Sequence, residues 1–310
     1  MNVGFVYDDI FLKHETPRWH PECKERLISI VKVLKGSPLW KRMVHIWPRR
    51  ANFRDIEMVH HKSYIERIKG FEQGYIDPDT YISKGSIETA LFAVGAVMEA
   101  VDSCKNNTIQ RAFCAVRPPG HHAEADRAMG FCIFNNVAIG ARYAQKVGFK
   151  KVFIIDFDVH HGNGTQHIFE DDDRVFYFST HQYPHYPGTG SDSERGKGKG
   201  NGYTYNIPMR SGSGDREFFT IYNEILPELV KGFGPDIIIV SAGYDICSED
   251  PLSGIKISRE GIRGIVRGIL LSSIQTQNSI TPVIFALEGG YDLSALAESV
   301  LITIEEMFSN

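Results

Sequence analysis

The sequence predicts an α/β fold: a single domain with a mostly parallel central sheet and helices on both faces. Three observations carry this expectation. Short runs rich in Val, Ile and Phe recur along the 310 residues. Several of them lack polar alternation, as strands covered on both faces should. Longer stretches with helical periodicity separate them, and strands alternating with helices imply right-handed crossovers between parallel neighbours.

In chain order, the expected strands are "NVGFVY" at 2–7, "RAFCAV" at 111–116, "KKVFIIDF" at 150–157, "RVFYFST" at 174–180, "PDIIIVSAG" at 235–243 and "TPVIFALEGG" at 281–290. The expected helices are 22–35, 86–103, 136–145, 216–231, 258–273 and 292–308. Ser86 followed by "IETALFAVGAVMEAV" fits an N-cap leading into an apolar stripe. The Gly-rich stretch "PGTGSDSERGKGKGNG" at 187–202 sits between a strand and the next apolar segment, so it reads as a surface or rim loop rather than a linker. It lacks the Gly-Lys-Ser/Thr ending of a phosphate-binding loop. One domain over 1–310 is therefore expected.

Composition narrows the function classes. With 42% hydrophobic and 23% charged residues, the usage is that of a folded globular chain rather than a disordered or fibrous one. A net charge of −4 and the lack of a basic stripe argue against direct nucleic-acid binding. Cys23, Cys104, Cys114, Cys132 and Cys247 are odd in number and contain no Cys-x-x-Cys pair, which disfavours a disulfide framework and a cysteine zinc site. The N-terminus has no secretory pattern, and no run approaches the roughly 18 apolar residues needed to span a bilayer. A cytoplasmic protein in a reducing compartment is the expectation.

In open parallel sheets, ligands gather outside the carboxyl ends of the strands. Here those ends carry "RPPGHHAE" at 117–124, "DVHHG" at 158–162, Tyr244 and Asp245, and Tyr291. The stretch "IIDFDVHHGNGTQ" at 154–166 places two aspartates and two histidines behind an apolar run. Surface salt bridges or Asp caps on backbone would each explain such a run. Alternation along an extended segment would let Asp156, Asp158 and His160 point together while Phe157 and Val159 pack the other way. Asp245 is the best further carboxylate. Taken singly, His160 or Asp245 reads as a satisfied core or cap residue. Taken jointly, burying so many polar groups unpaired would cost several kcal/mol, and a cation is the economical explanation. One imidazole and two carboxylates with an open position suit a catalytic zinc; iron(II) would also be accepted.

These residues resemble those of the zinc-dependent histone deacetylase and acetylpolyamine amidohydrolase superfamily. The matching pieces run along nearly the whole chain: "HETPRWHPECKERL", "HHKSYIERI", "DTYIS", "RPPGHHA", "GFCIFNNVAIGA", "IDFDVHHGNGTQ", "HQYPHYPGTG", "SAGYD" and "LEGGYD". The resemblance implies an arginase/deacetylase-like fold and amide hydrolysis without an acyl-enzyme. It implies Asp158, His160 and Asp245 as zinc ligands and His121 and His122 as the tandem histidines. His122 would move the proton and His121 stabilise charge, with Tyr291 polarising the substrate carbonyl and Asp156 orienting His121. It further implies a structural potassium site at Asp156, Asp158, His160, Ser179 and Thr180. Gly130, Phe131 and Tyr186 resemble channel walls; Ser86 joins Leu252 in the expected substrate-binding set. His161 is expected to be structural, and Cys132 a small buried thiol.

One departure separates subgroups: Asn163 stands where the members most like the nuclear class have aspartate, and so resembles the class II pattern. An amide stabilises the His122 imidazolium less than a carboxylate would. In "GYDICSEDPLSG", Leu252 resembles the gatekeeper position of lysine deacetylases, with Glu249 and Asp250 nearby. The implied substrate is an acyl-lysine in a peptide or protein. Acetylpolyamine hydrolysis and a non-catalytic acyl-lysine binding module are the alternatives. Oligomeric state is left open.

Overall fold

The computed structural model describes residues 1–276 and 279–309. Its centre is one sheet of eight strands: β1 (Val3–Val6), β2 (Val44–Ile46), β3 (Arg111–Cys114), β4 (Val152–Asp156), β5 (Val175–Gln182), β6 (Thr204–Met209), β7 (Ile237–Ala242) and β8 (Val283–Leu287). The spatial order is β2-β1-β3-β8-β7-β4-β5-β6, and every pairing is parallel. Every residue of β3, β4, β7 and β8 is buried. Strands sealed on both faces must be apolar throughout, which is why these four lack alternation.

The helices that seal the sheet are α1 (Glu25–Gly36), α2 (Ser86–Lys105), α3 (Asn136–Lys146), α4 (Asn163–Phe169), α5 (Arg259–Ser272) and α6 (Leu293–Ser309). α1, α5 and α6 pack in one group, α6 touching both of the others, while α2 packs on α3. The expected strands and helices are all found, within a few residues at their ends. Two departures have local causes. The helix expected at 216–231 is interrupted: Asp215–Thr220 runs into wider turns at Ile221–Ile225 before Leu226–Phe233 resumes. Pro227 has no N–H to donate to the preceding turn, so the ladder opens there. The resumed helix stops at Gly234, whose φ of 66° a side chain would resist. The second departure concerns Ser86. Gly85 occupies the N-cap position of α2, and no side chain caps that end.

Register decides where the site lies. Asp156 on β4 faces Ser241 on β7, which in turn faces Ala286 on β8, and Ala286 faces Cys114 on β3. Four adjacent strands thus end at one level in the middle of the sheet, and the loops that leave them converge.

Candidate active site

β4 ends at Asp156, and the chain beyond it is irregular up to α4. The strict alternation expected across 156–160 therefore gives way to a turn, which separates Asp156 from the other two groups. Asp158 and His160 meet Asp245 from the loop after β7, and their ligand-capable atoms all lie within 4.8 Å of one another. His160 Nδ1 stands 3.0 Å from Asp158 Oδ1 and 3.2 Å from Asp245 Oδ2. Backbone N–H groups hold the carboxylates from behind: Gly289 donates to Asp158 Oδ2 at 2.8 Å and Val159 to Asp245 Oδ1 at 3.0 Å. Asp245 Oδ2 is buried and receives no hydrogen bond among the described residues. A Cβ on Gly289 would lie 2.0 Å from that oxygen, and one on Gly243 would lie 2.1 Å from Asp158 Oδ2.

This arrangement fits a divalent cation. Two carboxylates and an imidazole converge, one buried oxygen accepts no hydrogen bond among the described residues, and glycines make room around the oxygens. Burial and repulsion from Asp158 push Asp245 up to about 7. Burial opposes charge on His160, but its bond to Asp158 and the nearby Asp245 carboxylate win and lift it to about 10. A proton on His160 then holds the two carboxylates together, as a cation would.

The tandem histidines come from the loop after β3. His121 Nδ1 lies 3.1 Å from Asp156 Oδ2, an oxygen that also accepts from the Tyr177 hydroxyl at 3.2 Å. Burial disfavours the His121 cation, but Asp158 and Asp156 raise it to about 10. His122 Nδ1 lies 2.8 Å from Asn163 Oδ1 at the start of α4. Burial and the nearby His121 and His160 press His122 well below the ordinary histidine range. Two adjacent imidazoles thus stand in opposite states, one cationic because two carboxylates face it and one neutral because it is buried beside two other imidazoles.

A cleft of about 90 Å³ opens over these groups, lined by Asp79, His121, His122, Gly130, Phe131, His160, Tyr186, Leu252, Gly289 and Tyr291, with Pro119. Phe131 holds φ at 67°, a position a bulky residue occupies only under constraint. Its ring meets His20 at 4.7 Å and Tyr291 at 5.9 Å, both edge-on. Tyr291 is fixed through its backbone N–H to Asp250 Oδ2 at 2.7 Å and lies under the Arg26 guanidinium, 5.1 Å from the ring centre. Burial and the Asp245 charge raise its phenol well above the ordinary range, so it stays a donor. A cavity of about 370 Å³ beside β1 and β2 is larger, but among the described residues no metal-ligating set converges there.

Of the expected substrate-binding residues, Gly130, Phe131, Tyr186 and Leu252 line this cleft. Ser86 does not. It is fully buried, and its hydroxyl lies 2.6 Å from His14 Nδ1 and accepts from Ser83 N–H at 2.7 Å. That helix end is tied into the core, which is why Ser86 neither caps the helix nor lines the cleft. Asp250 is turned inward, accepting from Leu252 and Tyr291, and Glu249 pairs with Arg259 at 3.3 Å. Ser179 and Thr180 lie beside Asp156 on β5, with hydroxyls against His181 Nδ1 and Tyr222 Oη, each at 2.8 Å. His161 is buried away from the cleft, its nitrogens 2.7 Å from Thr189 Oγ1 and 2.9 Å from Gln166 Oε1. Cys132 is fully buried, its thiol 3.2 Å from the Gly130 carbonyl oxygen.

Three further carboxylates stand here that no spacing in the sequence singles out. Asp79 joins the cleft wall and accepts from the Gly130 N–H at 2.9 Å. Glu288 spans the loops, accepting from Gly120 N–H at 2.6 Å and from Ser241 Oγ at 3.1 Å. Glu22 pairs with both Arg26 and Arg117 in a fully buried cluster. They lie in "DTYIS", "LEGGYD" and "HPECKERL", whose distance apart in the chain does not show that they meet.

A parallel α/β sheet carrying a metal-capable triad, tandem histidines and a phenol in one cleft defines a hydrolase site. Residues 20–307 match the family described as Histone deacetylase domain. The chain is 38% identical over 297 residues to a probable deacetylase of Archaeoglobus fulgidus, covering 94% of this chain and 82% of that one. It is 34% identical over 330 residues to Histone deacetylase 5 of Arabidopsis thaliana, covering 99% of this chain but spanning only 49% of that protein. The crystal structure of the HDA15 HD domain matches with a TM-score of 0.91 at 33% identity, over 99% of this chain and 91% of that one. The chain belongs to the histone deacetylase family and has that family's fold.

Proposed function

We propose that this protein is a zinc-dependent lysine deacylase, removing acetyl or other short acyl groups from the ε-amine of lysine in peptides or proteins. The observation that carries the proposal is the cleft itself. Gly130, Phe131, Tyr186 and Leu252 make a narrow, largely apolar passage, and the imidazoles and Tyr291 stand among its lining. An aliphatic stem with an amide at its tip suits such a passage.

Asp158, His160 and Asp245 would hold the zinc, which when bound polarises the amide carbonyl and acidifies the attacking water. His122, kept neutral, takes the proton from water and passes it to the leaving amine. His121, kept cationic by Asp156, stabilises the negative charge that develops. Tyr291 keeps its proton and donates to the carbonyl oxygen as that atom gains charge. Asp156, Asp158, His160, Ser179 and Thr180 are the residues that would hold a structural potassium ion.

Leu252 in the wall, with Asp250 and Glu249 engaged elsewhere, favours a neutral stem over a polyamine. Asp79 supports the second reading, acetylpolyamine hydrolysis, because it offers a carboxylate to an ammonium. Parallel turnover of an acetyl-lysine peptide and acetylspermidine separates the two. The peptide is expected to be faster, with activity lost on chelation and restored by zinc; faster acetylspermidine turnover overturns the lysine reading. Turnover that persists after complete metal removal overturns the metal reading.

A further inference from the structure

Asn163 can place either its oxygen or its NH2 group toward His122, and the two choices have opposite consequences. With the oxygen forward, His122 must donate from Nδ1, and its Nε2 keeps a free lone pair. With the NH2 forward, Nδ1 accepts and Nε2 carries the proton, which leaves no base on that nitrogen.

The surroundings of the amide nitrogen decide between them. Asn163 Nδ2 lies 2.6 Å from Glu124 Oε1, with His122 O and Met129 Sδ each at 3.4 Å. All three are acceptors, and a carboxylate has nothing to donate. Burial alone would raise Glu124, but its bonds from His167 and Asn163 hold it below the ordinary glutamate range, so it is ionised at neutral pH. Glu124 is only 6% exposed, and His167 Nδ1 stands 2.9 Å from the same oxygen.

We propose that Glu124 is a positioning residue for the hydrolytic reaction: its carboxylate fixes the Asn163 amide, and the amide fixes the Nδ1–H tautomer of His122. The proposal rests on His122 being the base, and it explains how an amide serves where a carboxylate would orient the ring by itself. A carboxylate has two equivalent oxygens and cannot be turned the wrong way; an amide can, and needs a second group to hold it. The charge is thus moved one residue back from the imidazole, which leaves the ring oriented without making it strongly basic.

The test compares Glu124→Ala and Glu124→Gln in the natural protein and in Asn163→Asp. The His122 tautomer is read from its ¹⁵N shifts in zinc-loaded protein, a measurement that needs no turnover, and kcat and KM are taken on whichever acylated amine the wild type cleaves. The Nδ1–H form is expected in the natural protein and in Glu124→Gln, whose amide oxygen still accepts from Asn163. Glu124→Ala should give mixed tautomers and a kcat lower by roughly 10-fold or more, with KM little changed. In Asn163→Asp, the same change should leave the tautomer intact and kcat undiminished. An unmixed tautomer in Glu124→Ala, or an equal loss of kcat in both backgrounds, overturns the proposal. A wild type without turnover would instead count against the deacylase reading, while the tautomer measurement would still decide the role of Glu124.

Discussion

Replacing Asn163 with aspartate probes the proton-transfer group directly. His122 Nδ1 lies 2.8 Å from the amide oxygen, so the new carboxylate would stand roughly 4 Å from the centre of charge of an imidazolium. At an effective dielectric near 20, a pair at about 4 Å gains about 4 kcal/mol, or roughly 3 pKa units at about 1.4 kcal/mol per unit. That is a ceiling. Glu124 already sits 2.6 Å from the Asn163 side chain, and its repulsion will cost the new charge part of its effect. A rise of roughly 1 to 2 units in the His122 pKa is expected. The sign follows from the role. A base works only when deprotonated, so raising its pKa moves the acidic limb of kcat/KM to higher pH. The assay is a pH series of kcat/KM for zinc-saturated wild type and Asn163→Asp. An acidic limb at the same pH in both would refute the assignment of His122 as the base.

Other outcomes follow from the same geometry. A methyl group on Gly289 would sit 2.0 Å from Asp245 Oδ2 and 2.6 Å from Asp158 Oδ2, so Gly289→Ala should weaken metal binding by roughly 10- to 100-fold, read as zinc content after dialysis. Because His160 is raised to about 10 in the metal-free protein, zinc must displace a proton from it below that pH. Affinity should therefore climb by about tenfold per pH unit above roughly pH 7 and more steeply below it, where Asp245 must also lose its proton, with proton release seen by titration calorimetry in buffers of different ionisation enthalpy. A flat response would mean that His160 is not a ligand. Leu252→Glu puts a carboxylate in the cleft wall and should shift the ratio of acetylspermidine to acetyl-lysine peptide turnover by about tenfold or more toward the polyamine, as one charge pair worth about 1.4 kcal/mol would.

How far each element was legible depended on where it lies. β3, β4, β7 and β8 are sealed on both faces, so their continuous apolar runs stand out in the chain. β2 spans only Val44–Ile46, and β6 at Thr204–Met209 contains Pro208 and is partly exposed. Both are edge strands, where burial imposes no apolar run and the pattern is lost.

The site divides along the same line. The sequence alone determined the chemistry on offer: Asp158 and His160 two apart behind a buried strand, tandem histidines, and a late tyrosine, all at positions that parallel crossovers bring to one edge. Tertiary structure decided which of these groups act on each other. It set Ser86 into the core rather than the cleft, turned Asp250 inward, and brought Glu124 and Asn163, 39 residues apart, to 2.6 Å. Residue type records what a side chain can donate, accept or ligate. Which partner it meets depends on loops leaving different strands, and so on the register of the whole sheet, which no local pattern encodes.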